Sequence, residues 1–96
     1  MSLDKGQRLW DEHLSAPFPA RLSGEEINGI DMVMLDADIA GCVSTWLGNK
    51  GRLDKTRRGW LEESLDDLAR VLPLLPDRDE RAYYERLRQL AQLALT

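Results

Sequence analysis

Met32-Val-Met-Leu-Asp-Ala-Asp-Ile-Ala-Gly41 (MVMLDADIAG) admits two incompatible readings, and the fold turns on which one holds. Four apolar residues running into Asp-x-Asp could be a buried strand that delivers Asp36 at its end. The same letters could be the middle of an amphipathic helix. The residues that follow decide the matter. At about 100° per residue, Met32, Leu35, Ile39, Cys42, Val43 and Trp46 fall within an arc of about 100°, one continuous apolar stripe. A strand would place Met32 and Met34 on one face and then meet Gly41 with no helix start to receive a phosphate. The helix accounts for all six apolar positions.

The strand reading has an attractive chemistry, because an apolar run ending in Asp-x-Asp resembles the nucleophile motif of haloacid-dehalogenase-type phosphatases. That resemblance would imply a parallel sheet and later motifs supplying Thr or Ser, Lys and further aspartates. Nothing downstream alternates strand with helix, so the expected element is a helix over about 30–47. On it, Asp31 and Asp38 border one side of the stripe and Asp36 the other, where solvated or ion-paired carboxylates belong. The opposite side, Val33, Ala37, Ala40, Gly41 and Ser44, carries no charge. Gly41 and Ser44 are poor helix formers, so an ordinary solvent face does not explain them. Packing on both sides does, against another part of the chain or a symmetry mate.

Three further helices are expected, and the fold class is an all-α bundle in a single domain spanning 1–96. A short N-terminal helix over about 3–14 carries Leu3, Trp10 and Leu14 on one side and stops before Pro17 and Pro19. Ser23 with Glu26 has capping-box spacing, and Gly29 bends whatever begins there. Gly48 is placed as a C-cap and Gly51 keeps the next loop open. The helix over about 54–72 starts at the N-cap Asp54, ends before Pro73, and repeats Leu61, Leu65, Leu68 and Leu72, with Trp60 and Val71 beside them. The last, over about 77–95, starts at Asp77 with an acidic first turn and repeats Tyr83, Leu87, Leu90 and Ala94, with Tyr84 at the stripe's edge. The last two read as an antiparallel hairpin, with the Met32 helix across its groove and the N-terminal helix as a lid.

Composition narrows the function classes. Hydrophobic residues at 43% and charged residues at 31% of 96 suit one globular domain and argue against disorder. No apolar run approaches the roughly 18 residues that cross a bilayer, so no membrane partner is expected. The single Cys42 excludes an internal disulfide and a cysteine metal cluster, lone His13 has no second imidazole, and a reducing cytoplasm is expected. Arg outnumbers Lys ten to three, a bias of GC-rich codons that points to a bacterial source.

Two charged clusters could carry chemistry. Lys50, Arg52, Lys55, Arg57 and Arg58 are opposed locally only by Asp54, in a chain of net charge −4. Cations in the first turn of a helix work against its dipole, so the arrangement suggests a small anionic ligand held at that N-terminus. Otherwise the cations are paired locally, as Arg58 with Glu62 would be. The acidic net charge, with no aromatic among the cations, argues against sequence-specific nucleic-acid binding. "GNKGR" lacks the length and the Lys-Ser/Thr of a P-loop.

The second cluster, Glu62, Glu63 and Asp66, could hold Mg²⁺ for nucleotide hydrolysis. Its "EESLD" is only superficially similar to the Glu-Glu-x-x-Glu helix of all-α nucleotide pyrophosphohydrolases, and Asp77-x-x-Glu80 reverses the residue types of their second motif. No metal and no cofactor is therefore expected. Ser44, Ser64, His13 and Cys42 show no nucleophile–base spacing. The expectation is a non-catalytic helical interaction or regulatory module, a homodimer or partner of another protein. Its interface candidates are Ala37, Ala40, Gly41, Ser44, Trp10, Trp46, Trp60 and Leu93. Three tryptophans are hard for so small a core to cover, and "LRQLAQLAL" spreads its leucines around the helix.

Overall fold

The MVMLDADIAG stretch is helical and opens the second of four α-helices in the computed structural model, which describes residues 2–96. These are α1 (Ser2–Ser15), α2 (Met32–Gly48), α3 (Lys55–Val71) and α4 (Arg78–Leu95). The fold is the expected small all-α one, a short N-terminal helix and three main ones. All six stripe residues of α2 are buried.

Helix α2 begins later than its periodicity suggests because Asp31 is its N-cap, accepting from the Met34 N–H at 3.1 Å. The residues before it do something the helical pattern did not anticipate. Glu26–Ile27 (β1) and Ile30–Asp31 (β2) pair antiparallel, Glu26 opposite Asp31 and Ile27 opposite Ile30. Asn28 and Gly29 both take positive φ, 54° and 79°, the two left-handed residues of a tight hairpin turn. The capping-box reading of Ser23 therefore fails. Ser23 ends a 3-10 turn (Ala20–Leu22), and Asn-Gly was the stronger local signal.

Capping explains the other boundaries. The Asp54 carboxylate accepts from the Arg57 N–H at 2.9 Å, and Asp77 accepts from Asp79 and Glu80 N–H at 2.8 and 3.1 Å. Gly48 is not the cap expected of it. It is the last residue of α2, Asn49 is the cap, and Lys50 and Gly51 take the left-handed conformations that turn the chain, with the Gly51 N–H donating to the Trp46 carbonyl at 2.8 Å.

Helix α2 packs on both α3 and α4, which also pack on each other, and α1 lies on α4 and α2. The core joins Leu22, Leu35, Ile39, Leu61, Leu68, Val71, Leu75, Leu87 and Leu90 from α2, α3, α4 and the connections beside them, with Leu3, Leu9 and Trp10 of α1 packed on its edge. Leu65 and Leu72, expected in the core, are only half-buried, while Ser64 is buried in α3. Tyr84 is not at the edge but fully buried, its hydroxyl donating to the Met32 carbonyl at 2.8 Å.

The contact face of α1 also differs from the expected one. Leu14 is 65% exposed, and α1 instead turns Gly6 and His13 inward with Leu3, Leu9 and Trp10 half-buried. Gly6 is there because Trp46 is. A Cβ on Gly6 would lie 2.5 Å from Trp46 Cζ3. Trp46, expected at an interface, is 3% exposed and is a core residue of the chain itself.

Candidate interaction groove

Helices α2 and α3 are joined by the short Asn49–Asp54 connection, and a groove of about 550 Å³ lies between them. Its α2 wall is Ala37, Asp38, Gly41, Cys42 and Thr45. Its α3 wall is Arg57, Trp60, Glu63, Ser64 and Asp67. The small side chains of Ala37 and Gly41 make the depression, and nothing lies within 4 Å of where a Gly41 Cβ would be. Trp60 stands in the opposite wall, 52% exposed, with the Arg57 guanidinium 6.0 Å from its ring centre.

The groove draws on three sets of residues that looked unrelated in sequence: Ala37, Gly41 and Trp60 from the interface candidates, Arg57 from the basic cluster, and Glu63 from the acidic one. The other interface candidates lie elsewhere. Ser44 is exposed on α2 outside the groove lining, and Ala40, Trp10 and Leu93 are half-buried within the monomer. Asp38, Thr45, Ser64 and Asp67 were not anticipated. Their positions along α2 and α3 are visible in the sequence, but the angle at which the two helices meet is not.

The basic cluster does not assemble into one anion site. The α3 N-terminus already holds the Asp54 carboxylate, which also pairs with Arg57 Nη1 at 2.5 Å. The Arg57 N–H bond, followed by that side-chain bond, holds the Asp54 carboxyl below the usual range. Arg58 does not pair with Glu62; its Nη2 donates to the Leu95 carbonyl at 2.9 Å, tying α3 to the end of α4. Lys50, Arg52 and Lys55 are exposed and make no ion pair among the described residues.

The acidic cluster disperses too. Glu63 lines the groove, whereas Glu62 and Asp66 are exposed outside it, and Asp67 pairs with Arg70 at 2.9 Å. No group of three or more His, Cys, Asp or Glu side chains is arranged around a metal-sized space among the described residues. Asp38 and Glu63 make no ion pair there. Cys42 lines the floor but is 4% exposed, and its thiol, 3.8 Å from the Arg57 carbonyl, is pushed above its ordinary pKa mainly by burial.

A second polar cluster went unrecognised because its members are far apart in the chain. His13 Nε2 lies 3.3 Å from Asp36 Oδ1, the Tyr83 hydroxyl donates to Asp36 Oδ2 at 2.9 Å, and Arg86 Nε donates to His13 Nδ1 at 3.2 Å. A guanidinium can only donate, so Nδ1 is an acceptor and Nε2 carries the imidazole proton. Every group has a protein partner, and His13 is only 5% exposed, so the cluster pins α1 to α2 and α4.

The neighbouring depression of about 620 Å³, beside Pro17, Phe18 and the start of α4, is similarly committed. Glu80 is held by Arg21 through bonds of 2.8 and 2.5 Å, Asp77 caps α4, and Tyr83 and Arg86 belong to the histidine cluster.

No protein-family model, no curated protein and no solved structure matches the chain. Among the described residues no helix is long and apolar enough to cross a membrane.

Proposed function

We propose that this chain is a small non-catalytic helical protein-interaction module, a bacterial cytoplasmic protein that self-associates through the groove between α2 and α3. One observation carries the reading: Trp60 stands half-exposed in the wall of a groove whose opposite wall is Ala37 and Gly41. An exposed indole offers a large apolar area, and tryptophan is enriched among the residues that dominate protein–protein binding. Small residues opposite it let a partner helix approach closely, which an exposed helix built for stability alone would not need.

The reading as an anion-binding module has less support, because Arg57 and Arg58 are engaged by Asp54 and the Leu95 carbonyl. The Mg²⁺-dependent hydrolase reading lacks an assembled ligand set among the described residues.

Light scattering at micromolar concentration tests the proposal. The expected mass is near twice 11.0 kDa, returning to 11.0 kDa in Gly41→Arg, which fills the groove without meeting anything within 4 Å of its Cβ. A wild-type monomer would refute self-association, and a Gly41→Arg dimer would move it to another face.

A further inference from the structure

We infer that the groove receives α2 of a second copy, antiparallel, about a two-fold axis passing beside Gly41. The inference rests on the groove being the self-association surface and adds the orientation and what selects it.

Ala37, Gly41 and Thr45 line the α2 wall at equal intervals, so Gly41 is the midpoint of a strip extending about 6 Å to either side. The Cys42 thiol reaches the Arg57 carbonyl, which sets the start of α3 beside the second half of α2. Beyond Thr45 and Arg57 at one end, and outside the groove lining itself, the connection to α3 and its first turn carry Lys50, Arg52 and Lys55. The other end holds Asp38, Glu63 and Asp67.

The two ends differ in their unsatisfied charge. Lys50, Arg52 and Lys55 make no ion pair among the described residues, and neither do Asp38 and Glu63. An antiparallel pair of grooves sets each basic end on the partner's acidic end, twice, by symmetry. A parallel pair sets like on like. Two copies each of net charge −4 repel at a distance, so this local complementarity is what favours a second copy and chooses its direction. The uncharged outer side of α2 then meets its own copy, with no side chain at Gly41 to hold the helices apart, and the partner covers Trp60.

Charge reversal tests the arrangement. Asp38→Lys with Glu63→Lys makes both ends basic; Arg52→Glu with Lys55→Glu makes both acidic. All four residues are exposed and outside the fold's ion pairs, so circular dichroism should be unchanged. Each variant alone should dimerise at least about tenfold more weakly than wild type, more so in low salt, while an equimolar mixture restores the dimer. A monomeric wild type would refute the underlying reading of the groove. Variants as dimeric as wild type, or two weakened variants whose mixture stays monomeric, would overturn the antiparallel pairing while leaving wild-type self-association intact.

Discussion

Gly6 and Gly41 are both helix-interior glycines, and replacing each by alanine should move stability in opposite directions. In an isolated helix either change is worth about 0.5–1 kcal/mol in favour of the fold. At Gly41 nothing lies within 4 Å of the new Cβ, so the gain should be realised in full. At Gly6 the Cβ would sit 2.5 and 2.7 Å from Trp46 Cζ3 and Cη2, with Leu47 Cδ2 at 3.7 Å. Those indole carbons belong to a side chain 3% exposed and cannot swing aside as an exposed chain end would.

Overpacking of this kind costs about 1–3 kcal/mol, which outweighs the propensity gain and leaves a net loss of about 1 kcal/mol. For a domain of 96 residues that is a melting point lower by about 4–8 °C, against a rise of a few degrees for Gly41→Ala. Urea unfolding followed by circular dichroism and tryptophan fluorescence measures both, at low protein concentration so that self-association does not contribute. Gly6→Ala equal to or more stable than wild type would mean that α1 does not rest on Trp46, and the packing described for α1 would be wrong.

Three other outcomes are expected. Tyr84→Phe removes a buried hydroxyl from the Met32 carbonyl, which keeps its place at the start of α2, and should cost about 1 kcal/mol in a urea titration. Asp77→Ala removes the acceptor for two N–H groups of α4 and should cost a similar ~1 kcal/mol, with Asp77→Asn recovering most of it. Alkaline stability follows from the tyrosines. Burial first, then the charge of Asp36, raises both Tyr83 and Tyr84 above their ordinary pKa. The folded state therefore holds protons that the unfolded chain releases. Stability is unaffected below about pH 10 and falls above it by about 1.4 kcal/mol per pH unit for each tyrosine. Phenolate absorbance should thus appear together with loss of helix; ionisation of both tyrosines in a fully helical protein would contradict their burial.

Much of the architecture was legible along the chain. The α2 stripe was readable because six large apolar residues share one angular sector, and a helix buries whatever its period collects. Asp54 and Asp77 were readable as caps because a carboxylate before an amphipathic run has one local use. The Asn28-Gly29 hairpin was equally local, but its strands are too short to show an alternating pattern, and the Ser23–Glu26 spacing competed with it. Of the site, Gly41 and Ala37 could be singled out as unexplained small residues and Trp60 as hard to cover. That they share one groove with Asp38, Glu63 and Arg57 could not be seen.

By itself, then, the sequence determined the helices, most of their ends and the faces that α2 and α4 bury, because periodicity and capping act within a turn or two of the chain; the face of α3 came out rotated, with Ser64 buried and Leu65 and Leu72 only half-buried. Only the tertiary structure decided which faces meet. It put Trp46 against Gly6 rather than at an interface, tied His13 on α1 to Asp36 on α2 and Arg86 on α4, and split the basic and acidic clusters between structural bonds and an open groove. The physical reason is that a helix's own pattern specifies the angle of each side chain about its axis. The rotation and tilt of one helix against the next come from the packing of all four together.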